Sequence, residues 1–282
     1  MTLSSLVNRY VDRIADRLIE PIDKRVNQKF YDFPLGSKPW AVEKDYLDLW
    51  DKTKQIAYPQ TDGYEKETGF AMDKTWLDEL ALLTQIVIKP HDLCYQHGRL
   101  LYSALSQMVS KRPKSSISIL ETGTARGFSS LCMAKALSDA DRPGRIVTYD
   151  VLPHSTKMYW NCIADKEGSQ SRAELLKPYQ DLIDEYIIFH QGDTQTQLNK
   201  IDISRVHFAF LDGGHTYQHV VDEFDYLKNR QQTGDMIFFD DYTPNHFPGV
   251  VDAVDEICQQ HGYSKQVITI SDQRGYVIGE KL

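Results

Sequence analysis

Asp212 and His215 stand three residues apart at the end of one apolar run, and Asp240 and Asp241 end the next. If the two runs are neighbouring strands, three carboxylates converge at one edge and repel unless a cation or protons intervene. Such an oxygen-rich set suits Mg²⁺, with waters or substrate oxygens completing an octahedron. Asp240 or Asp241 serves equally as a cap for the turn before Pro244. His215 titrates near neutral pH and is placed to accept a hydroxyl proton. It could instead ligate the metal as a neutral imidazole, or cap a helix opening near Thr216.

A second group lies upstream. The run 117–121 ends in Glu121 and breaks into Thr122-Gly123-Thr124-Ala125-Arg126-Gly127 before a helix-forming stretch. Glycines let backbone approach a ligand closely, and a helix N-terminus offers free N–H groups. A carboxylate at Glu121 repels a pyrophosphate and suits a ligand carrying an amino group. Asp150 ends another apolar run and suits ribose hydroxyls, while Gly192-Asp193-Thr194 ends a third. Any one of these is a common turn or cap residue, but five polar run-ends in series are not explained by capping alone.

The elements that must position these groups alternate. Strands are expected at 117–121, 145–150, 186–191, 206–211 and 235–240, separated by helices at 129–137, 173–182, 194–200 and 216–229. After a helix at 250–260, two strands at 266–270 and 275–279 read as a hairpin. The fold class is α/β: a Rossmann-like, mostly parallel sheet closed by a C-terminal antiparallel hairpin, with helices on both faces. Ligands in such sheets bind beyond the carboxyl ends of the strands.

Residues 1–90 read as a helical extension or lid, and 91–282 as the sheet domain. Within the extension, Leu3, Leu6, Val7, Tyr10, Val11, Ile14 and Leu18 recur at helical spacing. Mixed charge between them suits docking on the protein, including a homodimer contact, better than a membrane surface. Short helices are expected near 42–54 and 75–86, and a longer one at 93–109. Aromatics including Tyr31, Phe33, Trp40, Tyr58, Tyr64, Phe70 and Trp76 are acceptor-pocket or interface material.

The 282 residues carry a formal net charge of −8, which argues against general nucleic-acid binding. No run approaches a membrane span, and the start lacks a signal-peptide pattern. The four scattered cysteines form no zinc or disulfide pattern. A cytoplasmic setting is expected.

Over residues 93–282 the chain resembles the class I S-adenosylmethionine-dependent methyltransferases. It is most similar to the metal-dependent O-methyltransferases, of the catechol type and of the macrocin and mycinamicin sugar type. Leu120-Glu121-Thr122-Gly123-Thr124-Ala125-Arg126-Gly127-Phe128-Ser129 carries the resemblance. The resemblance implies that Gly123, Thr124, Gly127 and Phe128 hold the methionine part of the cofactor, with the Ser129 hydroxyl on its carboxylate. It implies that Glu121 lines the same end of the cleft, Asp150 binds the ribose, and Asp193 and Thr194 read the adenine edge. Asp212, Asp240 and Asp241 fall at the family's metal-ligand positions, with Asp241 where an Asn is common. His215 falls where catechol-type enzymes carry a lysine base. The implied activity is Mg²⁺-dependent methylation of a hydroxyl, in a vicinal diol of a sugar or natural product.

Rival readings are a cephalosporin hydroxylase-like enzyme, a non-catalytic cofactor-binding scaffold and a nicotinamide oxidoreductase. The last lacks the third glycine of its fingerprint.

Overall fold

The computed structural model describes Gly36 and residues 38–282. The expected helix at residues 3–18, with Tyr31 and Phe33, lies outside the described residues. Three helices open the described chain: α1 (Glu43–Thr53), α2 (Pro59–Thr68) and α3 (Lys74–Thr84). Then follow α4 (Gln96–Ser110), β1 (Ile117–Thr122), α5 (Phe128–Asp139), β2 (Gly144–Asp150), α6 (Arg172–Leu175), α7 (Gln180–Tyr186) and β3 (Ile187–Gln191). The remainder is α8 (Thr194–Gln197), β4 (Phe208–Leu211), α9 (Tyr217–Leu227), β5 (Met236–Phe239), α10 (Pro248–His261), β6 (Gln266–Ser271) and β7 (Arg274–Glu280).

The strands form one sheet in the order β3-β2-β1-β4-β5-β7-β6. The first five are parallel, and β7 pairs antiparallel with both β5 and β6. Strand side chains alternate between faces, and two cores result. Ile117, Ile119, Phe208, Phe210, Met236 and Phe238 face one core, shared with α4 and α5. Leu120, Ala209, Leu211, Ile237 and Phe239 face the other, under α9 and α10. With both faces covered, β4 and β5 are apolar throughout and not alternating.

Two expectations are revised. The helix at 173–182 breaks into α6 and α7 because Pro178, in the 3₁₀ turn Lys177–Tyr179, cannot continue an α-helical ladder. The helix α2 was not expected at all. Its sequence PQTDGYEKET has little apolar periodicity, and Pro59 at its start and left-handed Gly69 at its end define it instead.

The described part of the extension shares the main core. Tyr46, Tyr64, Leu77, Leu80, Ala81 and Ile86 are buried in the same cluster as Leu101, Leu105 and Leu131. Among the described residues no helix is long and apolar enough to cross a membrane.

Asp235 ties the sheet's lower edge together. It is fully buried and accepts from Arg112 at 2.8 Å, from Arg205 at 3.1 Å and from the Gln232 amide at 2.7 Å. Asp235→Ala leaves two guanidinium groups without their anion. It is expected to lower the unfolding free energy by about 3 kcal/mol or more, read by urea denaturation.

Candidate active site

The strand order reverses between β1 and β4, which opens a crevice at their carboxyl ends. The glycine turn after β1 and the loop after β4 meet there. Gly123 has φ +88°, and a Cβ on it would strike the Asp212 carbonyl. This contact, together with the Asp212 amide donating to Thr122 Oγ1 at 3.1 Å, brings Asp212 beside the turn.

Asp212, His215 and Asp241 converge. One ligand atom from each lies within 4.8 Å of the others. His215 Nε2 is 3.0 Å from Asp241 Oδ2 and 3.8 Å from Asp212 Oδ1, and its ring stacks on Phe247. Burial alone would lower the His215 pKa, but hydrogen bonds to Asp212 and Asp241 raise it well above the usual value. His215 does not cap α9: Thr216 does, accepting the His219 amide at 3.2 Å.

Asp240 is placed differently from its neighbour. It is buried, accepts the Asp241 amide at 2.6 Å, and lies outside the converging trio. Burial pushes its carboxyl well above the ordinary carboxylate range, helped by Asp212 and Asp241. Asp241 itself adopts a left-handed backbone, φ 56°, which Asp tolerates better than most residues. Arg274 Nη1 reaches Asp241 Oδ1 at 3.0 Å and Asp240 Oδ1 at 3.7 Å. Asp241 therefore has one oxygen on Arg274 and the other on His215.

Two further carboxyls lie beneath. Glu121 is fully buried and accepts the hydroxyls of Ser129 and Ser130. Glu223 is 2% exposed and accepts Thr122 and Thr194 hydroxyls, each at 2.9 Å. Burial raises each to about 7, against the opposing hydroxyl donors.

The expected cofactor residues are gathered at this crevice, with specific commitments. The Ser129 hydroxyl points to Glu121, and the Thr124 hydroxyl meets Thr148 at 2.5 Å. Gly127 begins α5 with φ +87° and packs against Leu176. Phe128 is buried against Tyr95 and His97. Asp150 accepts the amides of Ala125 and Leu152, the latter at 2.7 Å, and faces Arg172 at 3.6 Å. Asp193 caps α8 by accepting the Gln195 amide at 2.9 Å, and Thr194 belongs to the Glu223 network.

Sequence reasoning did not single out Glu223, Arg274 or Arg172. Glu223 reads as a polar position on an amphipathic helix, and Arg274 reads as a hairpin-turn residue. Arg172 is buried, donating from Nε to the Ala125 carbonyl at 2.8 Å, and so braces the glycine turn from a distant segment. His97 packs flat on Phe210, at 13° between planes, and edge-on to Phe128. Burial, then Arg274 and Lys89, lower its pKa to about 3, so it is neutral.

Gly123→Ala is expected to destabilise the fold and abolish ligand binding together, measured by thermal unfolding and calorimetry. The paired buried glutamates set a pH dependence. Their folded pKa values near 7 exceed the ordinary 4.5, so the native state holds protons that the unfolded chain has released. Their contribution is fully present below about pH 4.5 and is lost as pH rises through about 7. Glu121→Gln or Glu223→Gln is expected to flatten this fall, read from denaturation midpoints at about pH 5 and about pH 8.

Residues 120–242 match the family model described as "Methyltransferase domain". No curated protein matches the sequence. Among solved structures, similarity extends to the O-methyltransferase TomG of Streptomyces achromogenes, involved in tomaymycin synthesis. The TM-score is 0.52 at 18% identity, over 75% of this chain and 91% of that one. An O-methyltransferase of Bacillus cereus matches at TM-score 0.51 and 19% identity, over 78% and 96%. A putative O-methyltransferase of Klebsiella pneumoniae matches at TM-score 0.50 and 14% identity, over 80% and 91%. Residues 120–242 are thus similar to a methyltransferase domain, and the sheet order with its glycine turn at the β1–β4 crevice is the fold of these solved structures.

Proposed function

We propose that the chain is an S-adenosylmethionine-dependent O-methyltransferase acting on a small hydroxylated acceptor, a vicinal diol of a sugar or natural product. The convergence of Asp212, His215 and Asp241 within 4.8 Å, beside the glycine turn, carries this reading. TomG was solved with S-adenosylmethionine and the Bacillus cereus enzyme with S-adenosylhomocysteine, which supports the choice of donor.

Two carboxylate oxygens and one imidazole nitrogen, its proton displaced by the ion, would fit a divalent cation, Mg²⁺ or a similar hard ion such as Mn²⁺. In this reading His215 replaces Asp240 in the expected ligand set, and Asp240 supports Asp241 from below. A cation held there would lower the pKa of an acceptor hydroxyl and hold two vicinal oxygens together. S-adenosylmethionine supplies a methyl on a sulfonium.

The chain's own work is alignment and exclusion of water. Asp150 offers its remaining lone pairs to ribose hydroxyls. The acceptor oxygen forms its bond to the methyl carbon as the sulfur–carbon bond breaks. The hydroxyl proton leaves to a base, and S-adenosylhomocysteine departs.

The 3.0 Å contact between His215 and Asp241 favours a second reading without a cation. His215 would then bind Asp241 through Nε2 and take the acceptor proton at Nδ1, with Arg274 steadying the aspartate. The His215 pKa, raised by its two aspartates, weighs against it as a free base near neutral pH.

Calorimetric titration with S-adenosylmethionine and S-adenosylhomocysteine, with and without Mg²⁺, is the first test. It should be followed by turnover on sugar and catechol acceptors. Binding of neither ligand overturns the methyltransferase reading. Under the cation reading, Asp241→Asn and a chelator each abolish turnover while leaving cofactor affinity nearly intact. Full turnover in chelator, with His215→Gln slowed about a hundredfold or more, selects the dyad.

A further inference from the structure

Every hydroxyl of the glycine turn already has a partner inside the protein. Thr122 serves Glu223, Thr124 meets Thr148, and Ser129 and Ser130 serve Glu121. The arginines around the crevice are likewise engaged. Arg126 donates from Nε to the Trp160 carbonyl at 2.7 Å, Arg172 braces Ala125, and Arg274 holds Asp241. On the proposed function, an amino-acid carboxylate must nevertheless be received at this end of the cleft.

One cation is free to receive it. Lys89 is exposed, and its ammonium has no hydrogen-bond or ion-pair partner among the described residues. Its position is built. The amide of Ile88, the preceding residue, donates to Asn161 Oδ1 at 3.1 Å, and Asn161 Nδ2 donates to the Ile88 carbonyl at 2.8 Å. Tyr46 donates to the same Oδ1 at 3.2 Å. Asn161 holds this double contact from a left-handed backbone, φ 52°, directly after Trp160, whose carbonyl Arg126 grips. Lys89 is thereby anchored to the glycine turn through Ile88, Asn161, Trp160 and Arg126.

The surrounding charge agrees. Lys89 lies within electrostatic range of Arg274, Arg126 and Asp241. An ammonium so placed gains most from an added anion.

We propose that Lys89, held by the Asn161 clamp, is the anchor for the amino-acid carboxylate of the cofactor. This rests on the proposed function, because it assumes S-adenosylmethionine as donor. It also assigns the N-terminal extension a binding role and makes the Asn161 clamp a positioning device for it.

The test uses the full chain and two probes, S-adenosylhomocysteine and 5′-methylthioadenosine, which lacks the amino-acid end. Lys89→Met is expected to weaken S-adenosylhomocysteine binding at least about tenfold while leaving methylthioadenosine affinity unchanged. Lys89→Arg should restore most of the loss. Asn161→Ala should weaken the first ligand selectively in the same sense. Equal affinities for S-adenosylhomocysteine in wild type and Lys89→Met overturn the inference while leaving the methyltransferase reading intact. Parallel loss of both ligands also overturns it, because that marks a structural role. Failure of the wild type to bind either probe removes the proposed function, and the inference with it.

Discussion

Glu121, Glu223, Asp212, Asp240 and Asp241 crowd the carboxyl ends of three neighbouring strands, and the surrounding structure is arranged to tolerate them. Uncompensated, such burial is far too costly to leave the groups ionised. The compensation takes three forms. Burial raises the proton affinity of the deepest groups, Glu121, Glu223 and Asp240. Hydroxyl donors from Thr122, Thr194, Ser129 and Ser130 satisfy the two glutamates. Arg274 and His215 each hold one oxygen of Asp241.

This arrangement explains the terminal hairpin's part in the site. β7 begins at Arg274 and runs antiparallel to β5, so its first residue falls beside the end of β5, where Asp240 and Asp241 follow. A further parallel strand would run the other way and present its carboxyl end there instead. The hairpin therefore closes the sheet and delivers a cation to the acidic edge in one step. Asp241, held between Arg274 and His215, is the point where the two halves of the site meet.

The extension is joined to the glycine-turn side of the crevice by equally specific contacts. The Asn161 clamp on Ile88 and the shared core of Tyr46, Leu77 and Leu80 hold it against the sheet domain. Hydrogen bonds thus connect the extension to the glycine turn through Asn161, Trp160 and Arg126. A buried, neutral His97 at the start of α4 lies against the same surface, stacked on Phe210.

The sequence by itself determined the α/β class, the five parallel strands, the terminal hairpin and the polar run-ends, because these depend on local period and turn chemistry. The glycine spacing at Gly123 and Gly127 and the run-ends at Asp212 and Asp241 were legible for the same reason. The tertiary structure alone decided how those polar groups are used. Adjacent Asp240 and Asp241 look equivalent in sequence, yet with a left-handed backbone at Asp241 one carboxylate meets His215 and the other lies outside the converging trio. Glu223 and Arg274 each come from far along the chain and act only through sheet pairing and helix packing. No local pattern marks such residues, since their partners are set by strand order and not by spacing.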